Sequence, residues 1–305
     1  MYFADGHCDF LYGLVNEGYD LDSPKGMQSV ALPRLKAGGV RLQLFAAWMD
    51  AKHRLPYIQQ FLAMADAYDR MLETHEELVP LTEDFDPDSG KIAAMLTIEG
   101  GEAIEGRADI LRCAHRLGVR AMSLTWNERN ELASPALGRS RHGLTELGRE
   151  IVREMAKLGM AVDVSHLNDA GIDDVLCEDV KVFATHSNAR AVFFSPRSHS
   201  DEHIREIGRR GGTVGVNFYY KQLTEGRVAQ ISDIVRHAEH ILKVGGESCL
   251  AIGSDFDGMG RYPVGLEDPS GLPKLAGAFE AAGITGELLE NVCWRNLMRF
   301  AKSIC

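Results

Sequence analysis

Six residues of this chain, of types that can bind metal ions or move protons, each lie at the end of a short apolar run. His7 and Asp9 end YFADGHCD, Glu99 falls in KIAAMLTIEG, His166 ends MAVDVSH, His186 lies in VKVFATHS and Asp255 in CLAIGSDFDG. In an extended strand, side chains two residues apart share a face with Cα atoms roughly 6.5 Å apart, so His7 and Asp9 can reach one ion. A single such histidine reads as a structural residue; six chemically competent groups at strand ends read as a site. Imidazole nitrogen and carboxylate oxygen without thiolate suit Zn²⁺, with Mn²⁺, Co²⁺ and Fe²⁺ as other occupants. A His/Asp pair, two further imidazoles and a carboxylate with two oxygens suit two ions, with Glu99 between them. Two divalent ions about 3.5–4 Å apart can hold a bridging hydroxide at neutral pH and polarise a carbonyl, the equipment of metal-assisted hydrolysis. Asp255 is needed by neither ligand set and is free to take a proton from the nucleophile and deliver it to a leaving amine.

The elements that position these groups alternate along the chain. Eight β-like runs are legible: YFADGHCD, VRLQLFAAW, KIAAMLTIEG, VRAMSLTWN, MAVDVSH, VKVFATHS, TVGVNFY and CLAIGSDFDG. Between them, LPYIQQFLAMADAYDRMLETHEEL, IEGRADILRCAHRLG, TELGREIVREMAKLG and ISDIVRHAEHILKVGG carry apolar residues at helical spacing. Gly118, Gly159 and Gly245 stand where helices commonly terminate. Strands alternating with helices of this length argue for βα units and a parallel sheet. Eight units in this length fit a (β/α)8 barrel, read as one domain over residues 1–305, better than an open doubly wound sheet. No GxGxxG or GxxxxGK[ST] follows any run, which removes the signatures of nucleotide-binding folds. In a (β/α)8 barrel the active site lies at the C-terminal ends of the strands, where the six residues fall.

Composition bounds the partners. The 305 residues are 45% hydrophobic and 25% charged, ordinary material for a folded domain. A formal net charge of −11 and the absence of a Lys/Arg stripe disfavour a nucleic-acid surface or a polybasic membrane anchor. His7 arrives too early for a secretion signal to precede it, and no apolar run approaches membrane-spanning length, so a cytoplasmic location is expected. The six cysteines form no CxxC pair and lie mostly in apolar surroundings, which suits reduced, buried thiols; Cys8, between two candidate ligands, should point to the opposite face and pack. The partner expected is a small molecule, with homodimerisation left open.

The chain resembles the membrane dipeptidase (renal dipeptidase) family of zinc peptidases, in its soluble bacterial branch. The stretches that carry the resemblance are DGHCD, IEGGEAI, VDVSHLND, ATHSNARAV, SPRSHSDE, VNFYY, GSDFDG and GLEDPSGLPKL, in family order from the first residues to the C-terminal helix. The resemblance implies a distorted (β/α)8 barrel with two zinc ions that hydrolyses dipeptides and tolerates a D-residue at the C-terminal position. It places His7 and Asp9 on one zinc, His166 and His186 on the other, and Glu99 across both. Arg197 falls where the family holds the substrate carboxylate, a task for which the guanidinium fork is suited, and Tyr219 where a tyrosine contacts substrate. Two departures stand out: LTWNERNELA puts Trp126 and Asn127 where animal members have a histidine touching the scissile group, and SPRS replaces HPRN around Arg197. The oxyanion is then stabilised either by an amide N–H of Asn127 or by the zinc ions alone. The competing reading is another binuclear metallohydrolase of this barrel type, acting on a cyclic amide, lactone or phosphoester; a carboxylate clamp at Arg197 would serve no purpose there.

Overall fold

Among the described residues nine strands form a single sheet, and the neighbour that each one finds decides the architecture. A computed structural model describes residues 1–226 and 228–305. The strands are β1 (Phe3–Cys8), β2 (Val40–Trp48), β3 (Leu78–Pro80), β4 (Ile92–Glu99), β5 (Val119–Ser123), β6 (Ala161–Asp163), β7 (Lys181–Ser187), β8 (Val214–Val216) and β9 (Leu250–Ile252). All pairings are parallel: β1 joins β2 and β9, β2 joins β4, and β4 to β9 follow in chain order. The ring therefore closes with eight strands, a (β/α)8 barrel. β3 stands outside it, paired with Ile92–Ala94 on the edge of β4 that β5 occupies from Leu96 onward. It is three residues long and ends on Pro80, which cannot donate to a ladder, so it gives no strand-like run in the sequence.

The four helical stretches fold as Tyr57–Thr74, Ala108–Arg116, Glu146–Lys157 and Ile231–Gly245. Asp169–Leu176, Asp201–Arg209 and Leu272–Ala281 are further helices, two of them begun by side-chain caps in which Asn168 and Ser200 accept from Gly171 and His203 N–H. Gly118 and Gly159 adopt left-handed conformations after their helices, whereas Gly245 stays helical and Gly246 (φ +86°) makes the break. The helix runs one residue longer than expected because its last turn still packs, with Gly245 lying against Cys249.

Inside the ring, small and apolar side chains from seven of the eight barrel strands (Ala4, Leu42, Ala93, Ala121, Ala161, Phe183, Ala251) meet Leu297, Met298, Phe300 and Ala301 of the C-terminal helix. Phe183 and Phe300 pack with ring centroids 4.6 Å apart. The helix Asn296–Lys302 thus plugs the end of the barrel opposite the candidate residues. Cys8 is fully buried in the main apolar cluster outside this layer. The expectation of buried thiols holds for Cys8, Cys249 and Cys293, but Cys113, Cys177 and Cys305 are exposed, because they sit on an outer helix face, at a helix end and at the C-terminus. No helix among the described residues is long and apolar enough to cross a membrane.

Nearer the candidate residues the interior is filled by backbone. A Cβ built on Gly6, Gly215 or Gly253 would fall inside van der Waals contact of the Thr185 carbonyl oxygen, so β1, β8 and β9 close on β7 only through glycine. Gly253→Ala is expected to destabilise the fold by about 1–3 kcal/mol or more, the range for overpacking. Gly277→Ala, in a helix where an added Cβ meets nothing within 4 Å, should stabilise by roughly 0.5–1 kcal/mol. Denaturant unfolding of both variants checks the pair; equal midpoints would contradict the packing described.

Candidate metal centre

All six residues converge at one end of the barrel. His7 is in β1 and Asp9 follows it, its N–H donating to Phe256 C=O at 2.8 Å; Glu99 ends β4; His186 is in β7. His166 and Asp255 come three residues after β6 and β9. Asp255 (φ +63°) and Asp257 (φ +67°) hold left-handed backbone, uncommon for residues with a Cβ and frequent where a side chain must be aimed.

The geometry centres on Glu99. Its Oε2 lies 3.6 Å from His7 Nε2, while its Oε1 lies 2.7 Å from His166 Nε2 and 3.6 Å from His186 Nε2. His7 Nε2 is also 3.6 Å from Asp9 Oδ2, and the two histidine Nε2 atoms of the other side are 3.1 Å apart. Three overlapping trios result, His7–Asp9–Glu99, Glu99–His166–His186 and His7–His186–Asp255, each with ligand atoms within 4.8 Å of one another. The first two share Glu99. The third brings Asp255 nearer the ligand atoms than its role as a bystander base required.

These donors fit divalent cations. Both ring nitrogens of His7 and Asp9 Oδ1 are buried without a hydrogen-bond partner, and each such group costs about 1–3 kcal/mol unless something satisfies it. Burial, aided by the Arg197 guanidinium, pulls His166 down to about 4; burial and the charges of His7 and Arg197 pull His186 well below the usual imidazole range. Both shifts favour the neutral ring, the form that ligates metal. Burial pushes Asp9 up to about 6 and Asp255 up to about 7, with the Glu99 charge adding to each. Burial opposes a charge on His7, yet Glu99 and Asp9 outweigh it and raise that imidazole well above its ordinary value. Three carboxyl groups thus face two cationic side chains, His7 and Arg197, at this centre.

The two sets of strand ends are tied together by buried acids. Asp5 accepts from Ser254 N–H at 2.8 Å, Ser254 Oγ at 2.5 Å and Gln43 Nε2 at 3.3 Å, joining β1 to the Asp255 loop. Asp163 accepts from Ser165 N–H and Thr185 N–H, each at 3.0 Å, and from both hydroxyls at 2.6 Å, joining the His166 loop to β7. Neither acid was singled out in the sequence; the signal was present as an acidic residue within an apolar run, shortly before each histidine.

A cavity of about 860 Å³ opens over the centre, lined by Asp9, Glu99, His166, His186, Asp255, Arg197, Tyr219 and Asn127, with His7 buried beneath. Arg197 is 5% exposed, donates from Nη2 to both His166 and His186 Nε2 at 2.9 Å, and keeps Nη1 unpartnered. Asn127 Oδ1 lies 3.0 Å from His166 Nδ1, and Asn217 Nδ2 donates to Asp255 at 3.2 Å. One wall, not foreseen, is an aromatic row in which Tyr12, Trp48 and Trp126 pack edge to face with centroids 4.9 and 5.0 Å apart.

Residues 1–304 match the family model described as membrane dipeptidase (Peptidase family M19). An uncharacterized dipeptidase of Schizosaccharomyces pombe is 35% identical over 331 aligned positions, covering 98% of this chain and 80% of that protein. Human dipeptidase 3 is 30% identical over 283 positions, covering 90% of this chain and 58% of its own length. Among solved structures, a metallopeptidase from Rhodobacter sphaeroides, liganded with a phosphinate mimic of the dipeptide L-Ala-D-Ala, superposes with TM-score 0.90 at 29% identity, covering 100% of this chain and 99% of that one.

Because Glu99 faces both sets of donors, Glu99→Ala is expected to abolish binding of every ion at the centre, whereas His186→Ala should mainly weaken one. Elemental analysis after zinc reconstitution checks this; full metal content in Glu99→Ala would contradict it.

Proposed function

The chain belongs to the membrane dipeptidase family and is a metal-dependent peptide hydrolase, and on that premise we propose that it cleaves dipeptides over two zinc ions and accepts a D-residue at the C-terminal position. The division of Glu99's two oxygens between His7 and the His166/His186 pair carries this reading. His7 and Asp9 would hold one ion, His166 and His186 the other, and Glu99 both. Bound there, the pair supplies Lewis acidity that polarises the scissile carbonyl and acidifies the attacking water. The L-Ala-D-Ala mimic held by the Rhodobacter sphaeroides metallopeptidase supports the substrate class and the stereochemistry.

The chain's own residues do the rest. Asp255, steadied by Asn217, takes the proton released on attack and returns it to the leaving amine. Asn127, whose oxygen is turned to His166, has only its amide N–H groups to offer a developing oxyanion. Arg197 pairs with the substrate's terminal carboxylate through the guanidinium face that includes Nη1, and Tyr219 borders the same cavity. The chain works as a single metallohydrolase domain, and its six free cysteines suit the reducing cytoplasm.

An arginine so placed acts as a ruler, fixing one residue between scissile carbonyl and chain end. A tripeptide cut at its first bond, or a dipeptide amide, would leave the buried guanidinium unpaired at a cost of about 2–5 kcal/mol, a loss of roughly thirtyfold to several thousandfold in kcat/KM. Wild type is expected to strongly prefer the free dipeptide over its amide and its C-terminally extended tripeptide, and Arg197→Ala to flatten that preference. Asp255→Asn, assayed alongside, should lower kcat by about 10²–10⁴. Equal cleavage of all three substrates by wild type would overturn the clamp and favour the broader metallohydrolase reading.

A further inference from the structure

We propose that Asn127 and the Thr185–Asp163 pair are positioning residues that hold His166 and His186 as Nδ1–H tautomers, so that both Nε2 lone pairs are committed to the metal centre. The inference rests on the two-ion reading above and adds to it the residues that set ion affinity from outside the ligand shell.

The assignment follows from counting protons. A guanidinium has donors and no acceptor. Arg197 Nη2 stands 2.9 Å from Nε2 of both rings and Glu99 Oε1 lies 2.7 Å from that of His166; with cations seated between the imidazoles and Glu99, as the two-ion reading has it, each Nε2 presents its lone pair to the centre. A neutral imidazole carries one N–H, which in both rings must then be on Nδ1. Each Nδ1–H needs an acceptor, and each has one. For His166 it is Asn127 Oδ1 at 3.0 Å, which also settles which way that amide faces. For His186 it is Thr185 Oγ1 at 2.8 Å. A hydroxyl has one proton to give, and the Asp163 carboxylate, 2.6 Å from Thr185 Oγ1, is the stronger acceptor; the hydroxyl's lone pair is left for His186. Ser165 repeats the device, donating its hydroxyl proton to Asp163 at 2.6 Å and accepting the backbone N–H of His186 at 3.2 Å.

Without its acceptor, either ring gains the Nε2–H tautomer or rotates, and binding an ion must first reverse that change. Partners of this kind are worth about 10–100-fold in metal affinity. The dipeptide WN in LTWNERNELA thereby acquires a role beyond substrate contact: Trp126 lines the cavity beside His166, and Asn127 sets that ring's proton.

The test titrates zinc-loaded protein with a chelator of known affinity. Asn127→Leu and Thr185→Val should each weaken zinc retention about 10–100-fold, while Asn127→Asp and Thr185→Ser, which keep an acceptor oxygen, restore most of it. Long-range ¹H–¹⁵N spectra of the zinc-loaded wild type should show both imidazoles protonated at Nδ1 and zinc-bound through Nε2, a readout independent of how any variant folds. Wild-type zinc retention with Asn127→Leu and Thr185→Val equally tight, or His166 bound through Nδ1, overturns this inference alone. A wild type that holds no zinc overturns the two-ion reading and this inference with it.

Discussion

Three carboxyl groups, those of the buried Asp9 and Glu99 and of the partly exposed Asp255, gather around His7 at one rim of the barrel, and the rest of the structure answers to that concentration of acids. An ionised carboxylate out of water is costly unless it is paired or coordinates a cation. The chain supplies part of the balance itself: His7 is driven toward its protonated form by Glu99 and Asp9, and Arg197 lies behind the His166/His186 pair. The remainder is a demand for positive charge of a specific shape, lone pairs converging on two sides of one glutamate. A site so built cannot relax into a satisfied neutral core without losing its acids or its imidazoles.

Holding such a site open requires a rigid frame, and the barrel provides it in two ways. At the far end, side chains from the strands and the C-terminal helix fill the interior as an ordinary apolar core. Near the centre the filling is backbone, with three glycines pressed on the Thr185 carbonyl, which leaves the strand ends little freedom. Asp5 and Asp163 then staple neighbouring strand ends through backbone N–H groups and hydroxyls, one acid for each histidine-bearing side. The same Asp163 that joins the strands also directs the Thr185 hydroxyl, so the scaffold and the protonation of the ligands are not separate matters.

Much of this is legible in the residues themselves. His7, Glu99, His166, His186 and Asp255 could be brought together on paper because a parallel barrel turns all its strand ends the same way. The short strand Leu78–Pro80 was not legible, since it has one buried residue and ends on proline, whereas the equally short β6, β8 and β9 are buried throughout and lie within apolar runs. Asp5 and Asp163 escaped because an acid's value there depends on which strand lies beside it, and pairing is not written in local sequence. The Tyr12–Trp48–Trp126 wall is hidden for the same reason: it is assembled from the helix after β1, the end of β2 and the loop after β5. The family resemblance supplied Arg197 as a carboxylate partner, but its hydrogen bonds to both histidines could be seen only in three dimensions.

The two proposed cations would share Glu99. The direct measurement is anomalous X-ray diffraction at the zinc edge from crystals of the reconstituted protein. Two anomalous peaks are expected, one beside His7 and Asp9 and one beside His166 and His186, with Glu99 contributing one oxygen to each. A single peak, or peaks away from Glu99, would contradict it.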